Sequence, residues 1–134
     1  MSFVVDCSVG ARWLLPDEAT PYTEAVFDLL ATRDVVVPGL FISEFGNVFL
    51  KLARQRKLSA DQAAGAVQRF AQLGLEVDRQ TPDPVRLFSL AMQYGLSAYD
   101  ATYLELALRR GVPLACWDGG LRAGAEKAGL YLAV

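Results

Sequence analysis

Phe3-Val4-Val5-Asp6-Cys7-Ser8 is an unbroken run of strand-forming residues that ends on an acid and two small polar side chains. A strand with one wet face alternates apolar and polar residues, whereas a strand covered on both faces reads as a continuous apolar run. Residues 3–6 are of the second kind, which points to a parallel sheet with helices on both sides. Working outward, strand-length apolar runs recur at residues 34–37, 75–78, 114–117 and 130–134. Between them lie stretches with helical period. Residues 8–15 stop at Pro16, and residues 21–33 have Thr20 as N-cap and Pro21 at the first helical position. Residues 40–58 carry Phe41, Phe45, Val48, Phe49 and Leu52 on one face. Ser59 and Gln62 have capping-box spacing before a helix that ends at Gly74. Helices over 81–94, 97–110 and 120–128 complete the pattern, with Gly95 and Gly111 as stops. The expected fold is α/β: one domain over residues 1–134, a parallel sheet of about five strands sandwiched by about seven helices.

Composition narrows the chemistry. Among 134 residues there is no histidine, which excludes Ser-His-Asp and Cys-His nucleophile systems, a histidine base and mixed Cys/His zinc sites. Carboxylates, Lys, hydroxyls and the thiols Cys7 and Cys116 remain. The two cysteines are far apart and no charged n-region precedes an apolar core, so reduced thiols in a cytoplasmic protein are expected. No run approaches the roughly 18 apolar residues of a membrane span. With 13 Lys+Arg against 15 Asp+Glu, a net charge of −2, a polyanionic ligand needs a local basic patch.

Most acids fall where solvent is expected, among them Glu76, Asp78 and Glu105. Four do not. Asp6 and Asp118 close strands that end at the same edge of a parallel sheet, where open α/β sheets bind their ligands. Glu44 lies on the apolar face of its helix, about 60° from Phe41 and about 40° from Val48 at ~100° per residue. Asp100 sits in the first turn of a helix that is apolar almost all round. Each has a structural alternative: Asp118 and Asp100 as helix caps, Asp6 in an Asx-turn, Glu44 paired with an Arg. Together they make a self-repelling cluster that a hard divalent cation, Mg²⁺ or Mn²⁺, would relieve through carboxylate and water oxygens.

The same residues carry a family resemblance. Residues 3–8, Phe41-Ile42-Ser43-Glu44-Phe45-Gly46-Asn47-Val48, Leu96-Ser97-Ala98-Tyr99-Asp100-Ala101-Thr102-Tyr103-Leu104-Glu105-Leu106-Ala107, and Cys116-Trp117-Asp118 with Leu121 resemble the four blocks of PIN-domain proteins, in order and spacing across essentially the whole chain. More narrowly, the chain is similar to the toxins of VapBC toxin–antitoxin pairs. The resemblance implies a metal-dependent ribonuclease, usually a homodimer, inhibited by a cognate antitoxin. It implies Asp6, Glu44, Asp100 and Asp118 as the acidic quartet, with Ser8 and Ser97 as supporting hydroxyls. Cys116 stands where the family often has Thr or Ser, and a thiol is a weak hydrogen-bond partner there.

The expected mechanism has Asp6, Asp100 and Asp118 binding Mg²⁺ or Mn²⁺ while Glu44 ligates it or orients a nucleophilic water. Lys51, Arg54, Arg56 and Lys57 end the Glu44 helix, and Arg109 and Arg110 end the Asp100 helix. Helix-dipole complementation competes with RNA contact at both places. Trp13, Tyr99 and Trp117 are aromatics for base stacking or for the core, and Phe41, Phe45 and Phe49 for a partner contact or the core. Two other classes compete: a catalytically inactive PIN-fold binding module, and an Asp-nucleophile phosphotransfer domain, which lacks here a second aspartate two residues after Asp6. A dinucleotide site is disfavoured because Asp6-Cys7-Ser8-Val9-Gly10 has no Gly-x-Gly-x-x-Gly turn.

Overall fold

A computed structural model of the protein describes residues 1–117 and 119–134. Four parallel strands, β1 (Ser2–Val5), β2 (Asp34–Pro38), β3 (Glu76–Asp78) and β4 (Leu114–Ala115), form one sheet in the order β3-β2-β1-β4. Val4 pairs with Val36 on one side and Leu114 on the other. Phe3, Val4 and Val5 are completely buried, as the unbroken apolar run requires. The helices are α1 (Cys7–Gly10), α2 (Pro21–Asp28), α3 (Gly39–Arg54), α4 (Ala60–Ala71), α5 (Pro84–Tyr94), α6 (Ala98–Arg110) and α7 (Gly119–Lys127). The expected α/β architecture is present, with seven α-helices among the described residues.

The differences have local causes. Residues 130–134 contribute one parallel bridge, Tyr131 to Leu114, rather than a full fifth strand. Their neighbour β4 is only two residues long and offers a single rung, Leu114 N to Leu130 O and Leu132 N to Leu114 O. Residues 8–15 divide into α1 and a tighter 3-10 turn, Ala11–Leu14. At this point α1 passes so close to α3 that a Cβ on Gly10 would stand 3.0 Å from Phe41 Cζ. Phe41, Phe45 and Phe49 are all buried and pack with Phe70 of α4 and one another, so the Phe-rich face belongs to the core. Trp13 is likewise turned inward, packed between Phe27 and Phe70 with its indole N–H donating to Thr23 O.

Two acids expected in solvent are buried. Asp78 and Glu105 are 7% and 4% exposed, and they face the two arginines that end α6. Arg109 bonds to Glu105 at 2.9 Å and to Asp78 at 3.0 Å, and Arg110 bonds to Asp78 at 2.9 Å and Glu76 at 2.7 Å. Arg109 and Arg110 are therefore committed to carboxylates, not available for phosphate. The Asp78 pairing escapes sequence reading because β3 and the end of α6 are some thirty positions apart, whereas Glu105 and Arg109 are at i,i+4 spacing.

Hydrogen bonds from Arg109, opposed in part by burial, hold the Asp78 carboxyl at about 2, below its ordinary 3.8. A depressed value means stability present above pH 4 and lost as pH falls toward 2, worth about 2 kcal/mol at ~1.4 kcal/mol per unit. Asp78→Asn is expected to remove about that much at pH 7 and little at pH 2, as urea unfolding at the two pH values will read.

Candidate metal and nuclease site

Strand order reverses between β1 and β4: β2 and β3 lie on one side of β1, and β4 on the other. Such a switch point leaves a crevice at the carboxyl ends of β1 and β4. Asp6 follows β1 there, 9% exposed, its N–H donating to Ala115 O of β4 at 3.1 Å. Its side chain caps α1, so the structural role is real: Oδ1 accepts from Val9 N at 3.2 Å and from the Ser8 hydroxyl at 2.7 Å. The Ser8 hydroxyl oxygen in turn accepts from Trp117 N at 3.1 Å, tying the exits of β1 and β4 together.

Glu44 comes from α3, half-buried as its place on the apolar face foretold. Its partner is not an arginine. The Tyr103 hydroxyl of α6 donates to Glu44 Oε1. Asp100 lies in the first turn of α6, where the Ser97 hydroxyl caps the helix by accepting from Asp100 N at 3.1 Å. That cap uses the backbone of Asp100, so the half-buried carboxylate makes no hydrogen bond among the described residues.

The Asp6 carboxyl senses the charges of the other two acids. Burial raises the Asp6 carboxyl from 3.8 to about 6 against the pull of its Ser8 and Val9 hydrogen bonds, and the charges of Asp100 and Glu44 add to the rise. Asp100 is also raised by burial. Cys7 is pushed up to about 12 by burial and then by Glu44 and Asp6. Cys116 is buried and raised by burial and then by Asp6. Both thiols are protonated at neutral pH, which removes them as nucleophiles.

Asp118 lies outside the described residues. Among the described residues no three acidic or thiol groups converge as a complete metal cage would. The donor chemistry nevertheless fits a hard cation: Mg²⁺ is held by one or two carboxylates and keeps several waters, and the buried Asp6 carboxyl makes no ion pair among the described residues.

At the far end of α3, Lys51, Arg54 and Arg56 are exposed and make no ion pair among the described residues. Lys51 and Arg54 border a depression of about 410 Å³ with Asn47, Leu50 and Gln55. Lys51 is two turns along α3 from Glu44, on the same stripe. A cavity of about 600 Å³ opens beyond the ends of β2 and β3, walled by Tyr99, Thr102 and Arg109 of α6. Trp117 lies half-buried beneath the Arg12 guanidinium, which is 5.8 Å from its ring and donates to Ser8 O at 2.6 Å. Two residues at the site went unread in the sequence, Arg12 and Tyr103. Each carried a helical-spacing signal: Arg12 is four residues after Ser8, and Tyr103 three after Asp100.

Comparison with known proteins bears on the family and the fold. The PIN domain family matches residues 3–127. Ribonuclease VapC3 of Pyrobaculum aerophilum is 28% identical over 120 residues, 88% of this chain and 90% of that protein. The crystal structure of PAE2754 from Pyrobaculum aerophilum superposes with a TM-score of 0.73 at 24% identity, over 92% of this chain and 79% of that one. Mycobacterium tuberculosis VapC20, described as a sarcin-ricin loop cleaving toxin, gives a TM-score of 0.65 at 18% identity over 98% of both chains.

Proposed function

The chain belongs to the PIN-domain family, and from that premise we propose that it is a Mg²⁺- or Mn²⁺-dependent endoribonuclease, the toxin of a toxin–antitoxin pair. The observation that carries the reading is the Asp6 carboxyl, buried at the strand-order reversal and raised to about 6 with Asp100 and Glu44 charges nearby. A fold gains nothing from concentrating acids this way, whereas a cation site requires it. The relatives named for ribonuclease and toxin activity support the same substrate class.

Asp6, Asp100 and Asp118 would hold the cation, with Glu44 as ligand or water-orienting base. When bound, the cation supplies Lewis-acid stabilisation of phosphate charge and makes water a better nucleophile. The protein's own part is positional. Ser8 holds the Asp6 carboxylate against the β4 exit, and the Ser97 cap sets the first turn that presents Asp100. In the base role Glu44 would accept a proton of the attacking water. Water forms the new P–O bond, the bond from phosphorus to the 3′-oxygen breaks, and that oxygen takes up a proton from solvent. The products end in 5′-phosphate and 3′-hydroxyl. Lys51, Arg54 and Arg56 offer the RNA backbone a salt-sensitive contact.

The protein acts in the cytoplasm, where its RNA and its antitoxin would be, and no described helix is long and apolar enough to cross a membrane. It pairs with a second copy. An exposed apolar stripe on α5, Val85, Phe88 and Met92 at 72%, 68% and 70% exposure, supports such a contact.

The test is cleavage of total RNA with Mg²⁺ or Mn²⁺ and mapping of the new ends. Activity that vanishes in EDTA, with 5′-phosphate ends, is expected. Full activity in excess EDTA, or 2′,3′-cyclic phosphate ends, overturns the mechanism. Phosphate captured covalently on Asp6 would revive the phosphotransfer reading.

A further inference from the structure

Tyr103 is 2% exposed on α6, and the residues that follow it, Leu104, Leu106 and Ala107, are apolar and equally buried. A phenylalanine would fill the same space without carrying a hydroxyl out of water, a transfer that is costly unless a hydrogen bond is made. Among the described residues that hydroxyl has one partner, Glu44 Oε1, 59 residues away on α3. Glu44 has no cationic partner among the described residues, so this bond is the one polar restraint on its carboxylate. The bond also joins the two helices that present Glu44 and Asp100, because Tyr103 is one turn beyond Asp100 on α6.

We propose that Tyr103 is a positioning residue for Glu44: its hydroxyl occupies Oε1 and fixes the side-chain rotamer, so that Oε2 is the oxygen that meets water or cation. The proposal rests on the reading of the carboxylate site given above. A purely structural tyrosine would be replaceable by phenylalanine at the cost of stability alone. A positioning tyrosine loses function when only its oxygen is removed, because a partner that orients a ligand or base typically governs about 10–100-fold in metal affinity or activity.

Wild type, Tyr103→Phe, Glu44→Gln and the double variant form the test, with Mn²⁺ affinity by calorimetry and kcat and KM on RNA as readouts. Tyr103→Phe is expected to lower kcat and Mn²⁺ affinity by about tenfold or more, to leave KM within about twofold, and to have no further effect in the Glu44→Gln background. Wild-type kcat and Mn²⁺ affinity in Tyr103→Phe, or losses that simply add in the double variant, overturn the proposal.

Absence of RNA cleavage by wild type under any divalent cation sinks the nuclease reading alone, since the Mn²⁺ cycle still decides the role of Tyr103. If wild type neither cleaves RNA nor binds Mn²⁺, both readings fall. Should Tyr103→Phe not fold, the downfield hydroxyl proton of Tyr103 in wild type carries the test. It must move when Glu44→Gln replaces the charged acceptor by an amide, and an unmoved resonance overturns the proposal.

Discussion

Asp100→Asn is expected to lower RNA cleavage by at least about a hundredfold, the upper end of what losing even an outer partner of a metal site costs, while the protein stays folded. Both halves follow from how the residue is used. The amide fills the volume of the carboxylate, and the α6 cap survives because Ser97 Oγ takes the backbone N–H of Asp100, not its side chain. Burial already raises the Asp100 carboxyl, so neutralising it relieves the fold rather than straining it. Circular dichroism should match wild type and the melting temperature should be no lower, while turnover collapses. Near-normal cleavage in a folded Asp100→Asn variant would remove Asp100 from the reaction.

Asp6→Asn carries the second large effect, and it runs in two directions. Cleavage should fall by a similar factor, but the metal-free protein should become more stable. The Asp6 carboxyl titrates near 6 in the folded chain against an ordinary 3.8, so the protonated form is the one the fold favours. Its contribution is fully present below pH 3.8 and lost as pH rises through 6, leaving the ionised side chain a liability of about 3 kcal/mol at pH 7. Asparagine keeps an oxygen to accept from Ser8 and Val9 and carries no charge. The variant should melt roughly 10 °C higher at pH 7, with the difference vanishing near pH 4. Added Mn²⁺ should stabilise wild type more than the variant. Equal melting temperatures at pH 7 and pH 4 would mean that Asp6 is not strained.

Much of this was legible in the chain and some was not. The buried run at residues 3–5, the capping box at Ser59 and Gln62, and the glycine stop at residue 111 are local signals, and each is realised. Glu44 was legible because a carboxylate on an apolar helical face has no inexpensive explanation. Its partner was not, since an arginine and a tyrosine are equally compatible with a periodicity argument, and only the packing of α3 near α6 chooses between them. Glu105 was misread although its arginine stands at local helical spacing, four residues on; Asp78 was misread for a reason related to that of Glu44. An acid in a short polar-flanked strand looks solvated until the arginines of a distant helix end are folded over it. What pattern reading misses here is pairing between segments far apart in sequence, where local propensity says nothing about which side chains meet.

The carboxylate–arginine strap over β3 bears on how copies of the chain can meet. Edge strands expose unpaired backbone groups that invite sheet-to-sheet association, and natural proteins blunt them by shortness and charge. Here the edge is three residues long, two of them acidic and locked to Arg109 and Arg110. A neighbouring strand adding to β3 would have to approach this charged fringe. A continuous intermolecular sheet through β3 is thereby disfavoured.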